Sequence, residues 1–261
     1  MLADYHVHTY YSDDCQCPME DMIQAALRIG LDEIAFTEHV DYGVITVQNC
    51  DYDAYLEELA RMRHTYHGQL TIRAGIEFGV QPHTAEQFEQ AFAAYPFDFV
   101  ILSNHQTDDE EYWRGNFQVG KTQDEIHRAY YTTTLETMRR YKNYSVLGHI
   151  DMIKRYDQFG EYSDDNIMDL IDAILQQAIA DGKGIEVNTS CFKYGLPDLT
   201  PSRRILRRYR ELGGEILTMG SDAHETRYLA DHFQQTRDML RILGFRWLCT
   251  FEKMQPQFHV L

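Results

Sequence analysis

The feature that most narrows the fold is an alternation that runs the length of the chain: short apolar runs, each followed by a stretch with helical spacing. The runs are Ala3–Val7, Glu33–Thr37, Leu70–Phe78, Asp98–Leu102, Ser145–Leu147, Gly184–Val187 and Glu215–Met219. Short apolar runs of this kind suit strands buried on both faces of a parallel sheet. Between them, Pro18 suits a first helical turn and Gly30 the stop after Met22, Ala26 and Ile29. Tyr52, Tyr55, Leu59, Met62 and Tyr66 recur at helical spacing. Ser163 is placed to cap a helix with Ile167, Leu170, Ile171, Ile174 and Ala178 on its buried stripe and Gly182 beyond its end. Strand–helix units in unbroken series, with no Pro- or Ser-rich linker, predict a single α/β domain over residues 1–261 that closes, or nearly closes, into a barrel. Phe245–Phe251 reads as a doubtful eighth strand.

Composition bounds the partners. With 44% hydrophobic residues in 261, the chain can bury a substantial core. A formal charge of −17 argues against long nucleic acids and anionic membrane surfaces. It leaves an anionic small molecule open, because bound metal ions reverse the sign locally. The cysteines at 15, 17, 50, 191 and 249 are odd in number and form no C-x-x-C, so reduced thiols and a cytoplasmic location are expected. No apolar run reaches the length of a membrane span.

Metal-ligand residue types fall at the ends of these runs. His6-Val7-His8 ends the first, and alternation puts both imidazoles on one face. Thr37-Glu38-His39 ends the second, and the third carries Glu77. His105, His149 and the pair Asp222 and His224 follow later runs, and Asp14 lies in the loop after the first. Barrel enzymes build their sites where these residues fall, at the C-terminal ends of the strands. A lone His is usually a surface or core residue; this set points to one multinuclear metal site acting on phosphate esters. Ligands with a net charge near −3 under several divalent ions leave a positive surplus suited to a phosphate dianion. The remaining histidines, at 64, 67, 83, 127, 232 and 259, read as surface residues.

His6-Val7-His8-Thr9 with Ser12-Asp13-Asp14, then Thr37-Glu38-His39, a strand Glu and a late Ser-Asp-Ala-His resemble the PHP (polymerase and histidinol phosphatase) superfamily over almost the whole chain. Gly75-Ile76-Glu77, Gly120-Lys121-Thr122-Gln123, Gly148-His149-Ile150-Asp151 and Glu186-Val187-Asn188-Thr189 look most like its monofunctional histidinol-phosphatases. The resemblance implies a distorted (β/α)7 TIM-like barrel with a trinuclear site of zinc, iron or manganese. By that resemblance His6, His8, Glu77 and Asp222 hold the first ion, and Glu77 bridges to a second held by His105 and His149. Asp14, His39 and His224 hold the third; many relatives have His where this chain has Asp14. Glu77, Asp222 and His224 are the expected catalytic residues. Arg155 matches a phosphate-binding position, and Lys193 is a candidate substitute where Ser190 stands in place of a relative's Arg. Asn104 departs from the usual Val or Ile and is expected to point away from the metals.

The implied reaction is metal-dependent hydrolysis of L-histidinol phosphate to L-histidinol and phosphate, a step of histidine biosynthesis (phosphoric monoester hydrolase, EC 3.1.3.15). Asn188, Thr189 and Ser190 are candidates for the substrate side or plain turn-formers. Asp41, Glu110 and Glu111 are candidates for an acidic wall facing the substrate's amine and imidazole. Three other readings stand beside this one: a PHP phosphoesterase for another small phosphomonoester or nucleotide, a non-catalytic PHP module, and an unrelated amidohydrolase barrel. Oligomeric state is open.

Overall fold

The computed structural model describes residues 1–44 and 47–261. Its strands are β1 (Ala3–Val7), β2 (Glu33–Phe36), β3 (His39–Val40), β4 (Thr71–Gly79), β5 (Phe99–Ser103), β6 (Gln106–Thr107), β7 (Glu110–Glu111), β8 (Val146–Leu147), β9 (Gly184–Asn188), β10 (Leu217–Gly220), β11 (Trp247–Glu252) and β12 (Gln255–Val260). The α-helices are α1 (Met19–Ile29), α2 (Tyr52–Thr65), α3 (Ala85–Ala94), α4 (Gln123–Arg140), α5 (Met168–Ala180), α6 (Ser190–Lys193), α7 (Arg203–Glu211) and α8 (Phe233–Ile242).

Parallel pairing runs β1-β2-β4-β5-β8-β9-β10, with β3 resuming beside β4 after a break at Thr37 and Glu38. A parallel bridge between Val7 and Ala223 links the two ends of this path. There the His8 N–H donates to the Ala223 carbonyl at 3.0 Å and the Asp222 N–H to the His6 carbonyl at 2.8 Å. The result is the nearly closed seven-stranded barrel that the alternating runs imply. Alternation then sorts the side chains. Ile34, Phe36, Ile72, Ala74, Ile76, Phe78, Val100, Leu102, Ile185 and Val187 point outward and share a core with the helices. Tyr5, Ala35, Phe99, Ile101 and Val146 form a separate inner cluster. The β1 register shifts between Asp4 and Val7, so β1 contributes Tyr5 to that cluster while His6 and His8 both reach the polar layer beyond it.

Local signals act as expected in places. Gly30 ends α1 in the left-handed conformation at φ 82°, donating to Ala26 and Leu27 carbonyls, whereas Pro18 stands just before the first turn, as an extended N-cap. Ser163 behaves differently: it caps a short 3₁₀ turn, Asp164–Asn166, and α5 begins only at Met168. The doubtful strand at Phe245–Phe251 exists as β11, but it is not an eighth stave. It pairs antiparallel with β12 in a separate hairpin, turning through Lys253 and Met254 at φ 50° and 65°. With β1 already bridged to the end of β10, no stave position is left for it; Cys249 and Phe251 instead complete the inner cluster.

Candidate metal centre

Above the apolar inner cluster the barrel holds charge. A buried aliphatic side chain contributes ~1.5–3 kcal/mol, and a buried unpaired polar group costs free energy. An inner layer of imidazoles and carboxylates therefore sacrifices stability, as functional layers do. Glu77 lies between outward-facing Ile76 and Phe78, so it faces inward, fully buried. Its Oε2 is 3.1 Å from His6 Nε2, 3.5 Å from His8 Nε2 and 2.9 Å from His39 Nδ1. Its Oε1 is 3.2 Å from His105 Nε2 and 2.9 Å from His149 Nε2. One oxygen thus serves the β1 histidines and the other the histidines after β5 and β8. Asp222 Oδ1 lies 3.7 Å from His6 Nε2, 3.6 Å from His8 Nε2 and 3.8 Å from His224 Nδ1. Asp222 itself has φ 56°, a left-handed conformation that Asp tolerates better than most residues and that is common at functional sites. Asp14, with a side chain 54% exposed, stands at the rim, 3.0 Å from His224 Nε2 and 3.7 Å from His39 Nε2. All nine residues read as ligands from the sequence meet in this one place.

Behind several of them stands a residue whose role the sequence did not reveal. Glu186 Oε1 is 2.6 Å from His6 Nδ1, and its Oε2 accepts the His149 N–H at 2.9 Å. Asp41 Oδ1 is 2.9 Å from His105 Nδ1, so it props a ring and is not simply an acidic wall. A carboxylate on the far nitrogen of an imidazole fixes its tautomer and raises its basicity toward a metal. Two glycines leave room for these pairs. A Cβ on Gly220 would sit 2.3 Å from both Glu186 Oε1 and His6 Cβ; one on Gly79 would sit 1.7 Å from Asp41 Oδ1. The pairing also governs charge. Burial pushes Glu77 upward, but His6, His39 and His105 outweigh it and hold the carboxyl well below the usual range. Burial likewise opposes the charged form of His105, yet Asp41 and Glu77 raise it well above the ordinary imidazole value.

A cleft of about 330 Å³ opens over the layer, with Asp14, His39, Asp41, His105, His149, Arg155, Asp222 and His224 in its walls, together with Trp113 and Tyr194. Arg155, on the turn Met152–Tyr156, is nearly buried. Both of its terminal nitrogens lie 3.3 Å from Asp222 Oδ2; Nη2 donates to Ser190 Oγ at 2.6 Å, while Nε has no partner. Tyr194 lies against the guanidinium, ring centroid 4.7 Å away. Asn188 and Ser190 are buried and hold Arg155 and Asp222 from behind; with Thr189 they stay out of the cleft wall. Lys193 is exposed, in a neighbouring groove with Asp14 and His224, its Nζ 5.0 Å from the Tyr228 ring centroid. Glu110 is exposed, and Glu111 lines the cleft in an ion pair with Arg114. Asn104 turns outward, donating to the Tyr130 carbonyl and Thr134 Oγ1. His127 is not a surface residue: it is buried, its Nε2 2.7 Å from Asp157 Oδ2 and its ring stacked on Tyr162.

The central layer fits metal ions on its own geometry. His8 Nε2, His39 Nδ1 and His224 Nε2 are buried and have no partner in hydrogen-bond geometry, although carboxylate oxygens lie close. Imidazole nitrogens this close to carboxylate oxygens in a buried site call for a cation shared between them, a proton in the metal-free protein or a metal ion in its place. The groups whose ligand atoms lie within 4.8 Å of one another are His6–His8–Glu77, His39–Glu77–His105, His6–His149–Asp222 and His8–His39–His224. They overlap and do not reproduce the expected partition: His149 falls with His6 and Asp222, and His39 also joins Glu77 and His105. Mixed imidazole and carboxylate donors accept zinc, iron or manganese.

The PHP domain family matches residues 4–190. A histidinol-phosphatase of Lactococcus lactis is 30% identical over 97% of this chain and 95% of its own length. A probable histidinol-phosphatase of Thermotoga maritima is 27% identical over 95% of this chain and 94% of its own. Among solved structures, the histidinol phosphate phosphatase of Lactococcus lactis, in complex with zinc, L-histidinol and phosphate, superposes with a TM-score of 0.92, covering 98% of each chain at 27% identity.

Proposed function

Because the chain belongs to the PHP domain family, we infer that it is a metal-dependent phosphoric monoester hydrolase converting L-histidinol phosphate to L-histidinol and phosphate. The observation that carries the reading is the convergence of eight ligand-capable side chains, with orphaned imidazole nitrogens, beneath a cleft sized for a small phosphomonoester, with Asp14 at its rim. The near-full-length relatives named for this reaction, and a solved relative holding zinc, histidinol and phosphate, support the choice of substrate. On this reading residues 1–261 work as one unit in the histidine-biosynthetic reaction.

In this proposal His6, His8, Glu77 and Asp222 would hold one divalent ion, His105 and His149 with Glu77 a second, and Asp14, His39 and His224 a third. Such ions, when bound, act as Lewis acids on phosphoryl oxygens and acidify the attacking water. The protein's own groups do the rest. Glu77, with one oxygen toward each histidine set, sets the spacing of the site. Glu186 and Asp41 keep the near nitrogens of His6 and His105 bare. Arg155, in the cleft wall, offers its charge to the phosphate, braced by Ser190 and Asp222 so that it need not reorganise as charge shifts in the transition state. Asp222 and His224, in the cleft wall, would flank a phosphoryl group bound there. Lys193, in the adjoining groove, is at most a distant contributor of positive charge. Trp113 and Tyr194 offer flat faces, and Asp13 offers negative charge, for an imidazole and an ammonium.

The test is a turnover screen of metal-loaded protein over histidinol phosphate and other phosphorylated amines, sugars and nucleotides, with elemental analysis of the same preparation. Histidinol phosphate should lead by at least about tenfold in kcat/KM, with about three transition-metal ions per chain. A better nucleotide or sugar phosphate substrate would overturn the assignment, and one ion or fewer in active protein would overturn the trinuclear site.

A further inference from the structure

His8 is held differently from His6 and His105, which lean directly on carboxylates. Its far nitrogen faces a hydroxyl, and the direction of that contact follows from proton accounting. Glu38 is buried just before His39, and its carboxylate gathers the turn after β1. Thr9 Oγ1 approaches Glu38 Oε1 at 2.7 Å; Oε2 lies 3.0 Å from Thr9 N and 2.7 Å from Ser12 Oγ. The carboxylate accepts on both oxygens, with Thr9 N–H, Thr9 Oγ1 and Ser12 Oγ converging on it, so Ser12 gives Oε2 its one hydroxyl proton.

With that proton committed, Ser12 Oγ has only lone pairs left. One accepts the His39 N–H at 3.0 Å, and the other faces His8 Nδ1 at 3.1 Å. Nδ1 must then be the nitrogen that carries hydrogen, and in the neutral ring Nε2 is bare. Nε2 is the atom 3.5 Å from Glu77 Oε2 and 3.6 Å from Asp222 Oδ1, buried and without a hydrogen-bond partner. We propose that Glu38 and Ser12 are positioning residues: their relay selects the Nδ1–H tautomer of His8 and reserves its Nε2 lone pair for a divalent cation. Because the same Ser12 oxygen anchors the His39 backbone, the relay also ties together two members of the His8–His39–His224 group.

The inference rests on the metal-centre reading above, and its test separates the two. Long-range proton–nitrogen NMR on metal-free, nitrogen-labelled wild-type protein, with His8 assigned by difference against His8→Gln, reads the tautomer directly. His8 should carry its hydrogen on Nδ1; hydrogen on Nε2 overturns the relay without any need for a Ser12 variant to fold. Zinc affinity is then read by competition with a chromophoric chelator. Ser12→Ala should bind zinc about ten- to a hundredfold more weakly and show a mixed His8 tautomer, the usual loss on removing a partner behind a ligand. Wild-type affinity and an unchanged tautomer in Ser12→Ala overturn the proposal. Wild-type protein that binds no zinc would instead sink the metal-centre reading itself.

Discussion

Arg155→Ala separates phosphate binding from metal binding. The guanidinium is nearly buried, its side chain 4% exposed, so solvent screens its charge little. It is also preorganised. Ser190 accepts from Nη2 at 2.6 Å, Asp222 Oδ2 lies 3.3 Å from each terminal nitrogen, and Tyr194 covers one face. Truncation leaves a phosphate charge without its partner in a partly desolvated site. By the usual cost of breaking a charged pair there, kcat/KM for histidinol phosphate should fall by ~2–4 kcal/mol, or about thirty- to a thousandfold. The Asp222 contact adds a second expectation. Losing Arg155 removes a cation beside a proposed ligand, so bound metal should be retained or held more tightly. Arg155→Lys should recover only part of the rate, since one ammonium cannot replace a planar fork braced at Ser190 and Asp222 together. Steady-state kinetics paired with elemental analysis decide the matter. Unchanged turnover refutes phosphate contact, and a rate loss in step with metal loss shows that Arg155 serves Asp222 alone.

Glu77→Gln should lower kcat by about a hundredfold or more in a folded protein, because an amide cannot present acceptor oxygens to both histidine sets; near-normal kcat would show that Glu77 does not bridge. In Glu186→Gln one acceptor becomes a donor, so it must oppose either the His6 Nδ1–H or the His149 N–H and Asn188 amide on the other oxygen. Zinc affinity should fall about ten- to a hundredfold by chelator competition, and an unchanged value would remove Glu186 from the centre. The pH dependence of stability should change sign on metal removal. Without metal, although burial opposes it, Glu77 and Asp14 raise His39 to about 9, and Glu186 and Glu77 lift His6 in the same direction. Raised imidazoles stabilise the fold fully below their unfolded value of about 6.5, and that stability is lost as pH climbs through the folded values. Chelator-treated protein should therefore lose Tm between about pH 6.5 and 9, whereas metal-loaded protein, whose ligands must be bare, should gain or hold it. Parallel Tm curves would contradict this.

The sequence by itself determined which chemistry collects at one end of the barrel. Side chains alternate along a strand with a period of two, so His6 and His8 could be placed on one common face from local pattern alone, and Glu77 recognised as a carboxylate within an apolar strand. A ligand at a strand end needs only its own strand to be recognised. What stands behind a ligand needs the ring to be closed. Glu186 meets His6 across 180 residues of chain, and Asp41 meets His105 across 64, through contacts that exist only once β9 and β3 take their places. The same limit explains His127, whose burial depends on Asp157 and Tyr162 folding over α4. It explains β11 as well, an adequate strand by composition that finds the barrel path already bridged at its ends. Tertiary structure also decided that Lys193 looks into a side groove and that Ser190 braces Arg155. Residue type and strand period are local and survive in one dimension; hydrogen-bond direction and close approach are set by neighbours that only the closed barrel supplies.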